Sequence, residues 1–165
     1  MLYHPPLIPM PDIPVLQHFG AFGVRRKYNV HSGVDLYAPE GEPVYAIEDG
    51  IIVYAGQFTG RRCNTPWWND TRALYIEGNT ATIVYGEIQE VDGLIKGSSV
   101  KTGQLIGNVV PVLKVDKGKP TSMLHLSTKQ RGYDVLYDEG IYMLNIDPTP
   151  MLLQCKMNAD KLQKK

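Results

Sequence analysis

Helical hydrophobic periodicity is almost missing from this sequence, and so are long apolar runs, cysteines and any excess of charge of one sign. No apolar run reaches the roughly 18 residues that crossing a bilayer requires, so no membrane span is expected. The N-terminus has no basic segment, apolar stretch and small-residue cleavage site of a secretory signal. Either a mature form, or a chain made in the cytosol and released by another route, is therefore expected. Cys63 and Cys155 form no metal or redox motif. Two unpaired thiols are expected, with a single bridge as the alternative. Lysine plus arginine and aspartate plus glutamate balance at 17 each, so no global field draws the chain to nucleic acid. A nucleotide-binding glycine motif is lacking, since Gly20-Ala21-Phe22-Gly23 precedes no helix. No Ser/His/Asp or Cys/His nucleophile arrangement can be drawn from the spacing either.

What is present fits one soluble domain. At 165 residues and 43% hydrophobic content, the chain can bury a core without disulfides. Residues 1–18 carry Pro5, Pro6, Pro9, Pro11 and Pro14, which exclude a helix and block interior strand pairing. They read as an extended arm lying on a β domain of residues 19–155. Lys156 to Lys165 reads as a basic, solvated tail. His4 and His18, in or beside the arm, have no partner at ligand spacing and read as surface histidines.

From Phe19 onward, short β-type segments alternate with turn residues. Val44–Ile47 and Ile51–Ala55 flank Glu48-Asp49-Gly50, and an Asp-Gly between apolar runs predicts a hairpin. Ala73–Glu77 and Thr80–Ile88 predict a second hairpin, around Gly78-Asn79. A loop from Gln57 to Thr71 carries Trp67 and Trp68, which either close the edge of a small core or contact a partner or sugar. Strands are predicted near Leu105 and over Leu124–Thr128, and Asp147-Pro148-Thr149 starts the one convincing helical turn. The fold class expected is all-β.

Two segments carry chemistry. In His31-Ser32-Gly33-Val34-Asp35 an extended chain puts His31, Gly33 and Asp35 on one face. Imidazole and carboxylate together suit Zn²⁺, and three protein ligands with an open fourth position are the pattern of catalytic zinc. In Leu124-His125-Leu126 the leucines face away from His125. That histidine is either a third ligand or a core histidine bonded to a backbone carbonyl.

Phe22-Gly23, His31-Ser32-Gly33-Val34-Asp35, Ala38–Ala46, Asp49–Ile52, Val100–Gly107 and Leu124-His125-Leu126 follow one another in an order that resembles the M23 (lysostaphin/LytM-type) zinc metallopeptidases. The resemblance implies a compact antiparallel β-sheet or sandwich with a groove over the sheet. It implies zinc on His31, Asp35 and His125, and peptidoglycan or glycine-containing peptides as the substrate class. It also exposes two departures. Tyr85-Gly86-Glu87-Ile88 stands where the family has Tyr-x-His-Leu, and Met123 stands at the first histidine of H-x-H. Those histidines serve deprotonation of water and stabilisation of the oxyanion, and a thioether does neither. Loss of general acid–base help costs about 10²–10⁴-fold in rate. Glu87 has two readings. It is a substitute base, as in H-E-x-x-H enzymes, or it hydrogen-bonds water or pairs with Arg25 or Arg26. Gly107–Val115 adds a similarity to leukocyte cell-derived chemotaxin, a secreted M23-fold protein that keeps the zinc ligands and is not known as a peptidase. The leading expectation is a degenerate zinc domain that binds peptidoglycan-like or protein partners in the groove. An active peptidase with Glu87 as base comes second, and a metal-free structural domain third.

Overall fold

The computed structural model describes residues 2–27, 29–63, 65–114, 122–132 and 145–164. Among them, nine strands form one antiparallel sheet: β1 (Val34–Tyr37), β2 (Pro43–Tyr45), β3 (Gly50–Thr59), β4 (Thr71–Gly78), β5 (Thr82–Glu90), β6 (Ser99–Val100), β7 (Leu105–Val109), β8 (Met123–Lys129) and β9 (Asn145–Ile146). A helix, α1 (Thr149–Gln163), closes the chain. The main path runs β1-β8-β5-β4-β3-β6, with the β2–β7 pair attached through β5 and with β9 on β8. This is the all-β architecture expected.

β5 organises the sheet. Its first part, Thr82 to Gly86, pairs with β8, and its last part, Ile88 to Glu90, pairs with β7. On the other side, Ala73 of β4 stands opposite Gly86 and Arg72 opposite Ile88, so Glu87 is the extra residue of a β-bulge. Its φ of 65° is the one left-handed backbone at a non-glycine among the described residues. The bulge resets the alternation: Ile83 and Tyr85 lie in the main core, and so does Ile88, three residues on.

The two faces of the sheet differ. One buries Leu36, Ile76, Ile83, Tyr85, Leu124 and Leu126 against Leu7 and Met10 of the arm and Leu152, Cys155 and Ala159 of α1. The other carries Ala73, Tyr75 and Val84 with Tyr54 and Phe58 packed on them. Gly86 lies under Phe58, and any Cβ there would stand 2.5 Å from that ring.

Two expectations need correction. Val44–Ile47 and Ile51–Ala55 do not form a hairpin: β2 pairs with β7, whereas β3 pairs with β4 and β6. The residues of the expected turn are engaged elsewhere. Glu48 accepts from the Thr80 N–H and hydroxyl, and Asp49 Oδ1 accepts from the Thr102 N–H. Residues 156–163 are not a loose tail but continue α1. There Asn158 is buried and donates to the Tyr3 carbonyl at 2.7 Å, and Lys156 reaches Asp12 at 2.7 Å. The arm is accordingly part of the core, with Leu7 wholly buried. The helix starts where expected, but its cap is Pro148 and not Asp147 or Thr149; the Asp147 carboxylate accepts the Thr149 N–H at 2.9 Å. Cys63 and Cys155 are both free thiols, as expected. The β4–β5 hairpin also forms as predicted, with Gly78 N–H donating to the Ala81 carbonyl across its turn.

Candidate metal centre

The site lies where β1 and β8 meet on the face opposite the main core. Asp35 and His125 stand directly across from each other in the register. His31 precedes β1 and is held by Gly23 and Val24: Gly23 N–H donates to the His31 carbonyl and His31 N–H to the Val24 carbonyl. The glycine-containing loop at residues 20–23 holds both His31 and Asp35. The Gly20 carbonyl accepts the Asp35 N–H at 2.9 Å, and the Ala21 carbonyl faces His31 Nδ1 at 3.0 Å.

These contacts settle which atoms converge. A carbonyl oxygen only accepts, so His31 Nδ1 carries the proton and, in the neutral ring, Nε2 presents its lone pair. That Nε2 is buried, makes no hydrogen bond among the described residues and lies 3.2 Å from Asp35 Oδ1. His125 Nδ1 lies 3.1 Å from the same oxygen. One donor atom from each of the three residues lies within 4.8 Å of the others, and all three residues are buried. A lone pair 3.2 Å from a carboxylate oxygen calls for a cation between them, either a proton or a metal. Two ligands of a tetrahedral zinc at its usual bond lengths stand about 3.3 Å apart. The observed separations fit that ion.

The electrostatics agree. Burial alone would push the Asp35 carboxyl up, but the neighbouring His125 and His31 outweigh it and hold the group far below the usual carboxylate range. Arg26 completes the setting: its Nη2 bonds Asp35 Oδ2 at 2.8 Å. The expected alternative of an Arg25 or Arg26 pair with Glu87 is therefore not what forms; Arg26 is taken by Asp35. Glu87 is buried, with Oε2 lacking a hydrogen-bond partner among the described residues. Burial, and then the Asp35 charge, push its carboxyl up to about 8, against opposing influences of His125 and Arg26. It stands beside the cluster without belonging to the three converging atoms. Met123, on the same strand as His125 and two residues before it, is partly exposed and sits across from Tyr37.

Gly33 is glycine because the β1–β8 approach leaves no room for a side chain. A Cβ there would lie 2.6 Å from the Leu126 carbonyl oxygen and 2.9 Å from the His125 ring. Gly33→Ala is expected to cost about 1–3 kcal/mol, the range for overpacking a tight site, read as a shift in the denaturation midpoint. An unchanged midpoint would show that the β1–β8 approach is looser than described.

Sequence reasoning missed the residues around the ligands. Phe58 packs on the His125 ring at 5.5 Å between centroids, yet reaches it from β3. His18, read as a surface histidine, is exposed but accepts the Gly20 N–H and lies 6.0 Å from the Tyr37 ring at the edge of the site. His4 packs instead on Tyr45. Trp67 is exposed and edge-on to the half-buried Trp68. The nearby cavity of about 460 Å³, lined by Arg61, Arg62, Asn69, Asp70 and Lys114, includes none of the three converging residues.

Solved structures share this architecture. The catalytic domain of the antimicrobial peptidase lysostaphin from Staphylococcus simulans matches with a TM-score of 0.58 at 24% identity, over 82% of this chain and 90% of that one. Helicobacter pylori Csd3 matches with a TM-score of 0.52 at 22% identity, over 99% of this chain and 43% of that one. A zinc-containing peptidase from Vibrio cholerae matches with a TM-score of 0.54 at 23% identity, over 78% and 36% of the two chains. At these identities the likeness is one of fold. No curated protein matches the chain. Residues 29–136, the span that contains His31, Asp35, Glu87, Met123 and His125, match the description of peptidase family M23, and the chain belongs to that family.

Proposed function

We propose that this chain is a zinc-binding M23 domain that holds peptidoglycan-like, glycine-containing peptides or a protein segment in its groove and has lost most of its hydrolytic power. The observation that carries the reading is the convergence of His31 Nε2, Asp35 Oδ1 and His125 Nδ1, with Glu87 and Met123 standing where the family has histidines. Those three atoms would hold the ion. Zinc bound there supplies Lewis-acid chemistry, polarising an amide carbonyl and making water a better nucleophile at neutral pH. Relocating protons is the task left to the chain's own side chains, and Met123 has no proton to exchange.

A second reading rests on Glu87, a buried carboxyl with an unpartnered oxygen beside two ligands. A carboxyl whose charged form burial disfavours is a stronger base than an exposed one. Cell-wall lysis by the purified, zinc-loaded protein separates the readings. The degenerate domain is expected to release no soluble fragments. Lysis that Glu87→Gln abolishes would establish Glu87 as the base. Zinc well below one equivalent after purification and reloading would leave the metal-free structural domain.

Glu87→Gln also has a pH signature in chelator-treated protein. The folded-state value lies above the ordinary 4.5, so the neutral carboxyl is accommodated at low pH and the stability it permits is lost as pH rises through about 8. Wild type is expected to match Glu87→Gln near pH 5 and to be less stable than it at pH 9, measured by urea denaturation. Equal stabilities at both values would mean that Glu87 is solvated.

A further inference from the structure

We infer that Arg26 is a positioning residue that restricts Asp35 to a single metal-binding oxygen and so makes the centre selective for a four-coordinate ion. The inference rests on the zinc reading above. A carboxylate can offer a metal one oxygen or two. Here the two oxygens have different neighbours: Oδ1 faces His31 Nε2 at 3.2 Å and His125 Nδ1 at 3.1 Å, whereas Oδ2 is held by Arg26 Nη2 at 2.8 Å.

Arg26 is itself fixed from three directions. Nη2 also donates to the Phe19 carbonyl at 3.0 Å, the guanidinium lies 4.2 Å from the centroid of the Phe19 ring, and the Arg26 N–H donates to the Asn29 carbonyl at 2.8 Å. The side chain is only 20% exposed and Asp35 6%, so water competes poorly for the pair. Turning Oδ2 inward would break a charge-assisted hydrogen bond and leave a stacked guanidinium without its anion. With Oδ2 committed, the chain presents two nitrogens and one oxygen. That set suits zinc with one open position, and it starves manganese, which prefers an octahedron of oxygens.

The test uses the full chain, stripped by chelator and reloaded with Co²⁺, Zn²⁺ or Mn²⁺ alone. Wild type loaded with Co²⁺ is expected to show the intense visible absorption of a four-coordinate ion. Arg26→Met is expected to weaken that band at least twofold and to lower the zinc-over-manganese affinity ratio about tenfold, at the low end for loss of a residue that orients a ligand. Arg26→Lys, which keeps the charge and one donor, is expected to recover most of both. A purely structural role for Arg26 would move the melting temperature and leave band and ratio alone, and that result would overturn the inference. So would a weak, six-coordinate spectrum in wild type, a measurement that needs no variant to fold. Failure of wild type to take up any of the three ions would instead overturn the zinc reading, and with it the role given to Arg26.

Discussion

Asp35→Ala is expected to abolish near-stoichiometric zinc binding and to destabilise the domain in the same step. The carboxylate is the shared partner of three groups: His31 and His125 on Oδ1 and Arg26 on Oδ2. Loss of a residue that merely orients a ligand lowers metal affinity about 10–100-fold, so loss of the ligand itself should exceed 100-fold. Stability falls because Arg26 is left facing a buried gap. Breaking a fully buried ion pair costs about 3–5 kcal/mol and an exposed one about 0–1. Arg26 is mostly but not wholly covered, which places the expected loss at about 2–4 kcal/mol. Competition with a fluorescent chelator reads the affinity, and urea denaturation of the stripped protein reads the stability. Asp35→Asn separates the two effects, because it keeps an acceptor for Arg26 while removing the charge that a cation needs. Zinc affinity unchanged in Asp35→Ala would place the metal elsewhere.

The three converging residues were legible because strand alternation gives each motif its face and the family resemblance joins the two motifs. Leu124 and Leu126 are fully buried on the core face, and strand alternation then sends His125 to the opposite face, where Asp35 meets it in register. The surroundings were not legible, because non-local pairing decides them. Asp49-Gly50 has the composition of a hairpin turn, but Asp49 bonds Thr102 and Glu48 bonds Thr80, partners 53 and 32 residues away. Such long-range caps outweigh a local turn preference without leaving a mark on the local pattern. The bulge at Glu87 is hidden for a related reason. A period of two carried through Ile83 and Tyr85 would put Glu87 in the core and Ile88 on the opposite face, whereas the extra residue puts Ile88 in the core. A carboxylate in the middle of an apolar strand was the one trace of that shift. The continuation of α1 past residue 155 was obscured by its own composition: the stripe that it buries, Leu152, Cys155, Asn158 and Ala159, contains only one large apolar side chain. Its polar member, Asn158, is buried because the Tyr3 carbonyl of the arm needs a donor. Arg26 was visible as one of three consecutive basic residues, but nothing in that run distinguishes the one that folds back onto Asp35.

Restoring the two histidines is the experiment with the largest expected gain. Zinc-loaded Glu87→His/Met123→His is expected to hydrolyse a glycine-containing peptide about 10²–10⁴-fold faster than the wild type, the range for a positioned acid–base group. The local structure can accept both changes. Position 87 has left-handed backbone, and histidine is several-fold enriched there among non-glycine residues. It also replaces a buried carboxyl whose charged form burial disfavours. Met123 is partly exposed on β8, on the side of the strand that His125 uses, and an imidazole there can stay hydrated. The single variants are informative because the two positions carry different tasks: one imidazole to take the proton of the attacking water, another to stabilise the charge that develops on the carbonyl oxygen. If both tasks are needed together, neither single variant should gain more than a small part of the double variant's rate. If Glu87 already serves as base, Met123→His alone should give nearly the whole gain, and Glu87→His should add little to it. A double variant that keeps its zinc and its fold but cleaves no faster than wild type would mean that these positions do not border the reacting bond. In that case the correspondence with the family's catalytic histidines would fail, although the metal centre would stand.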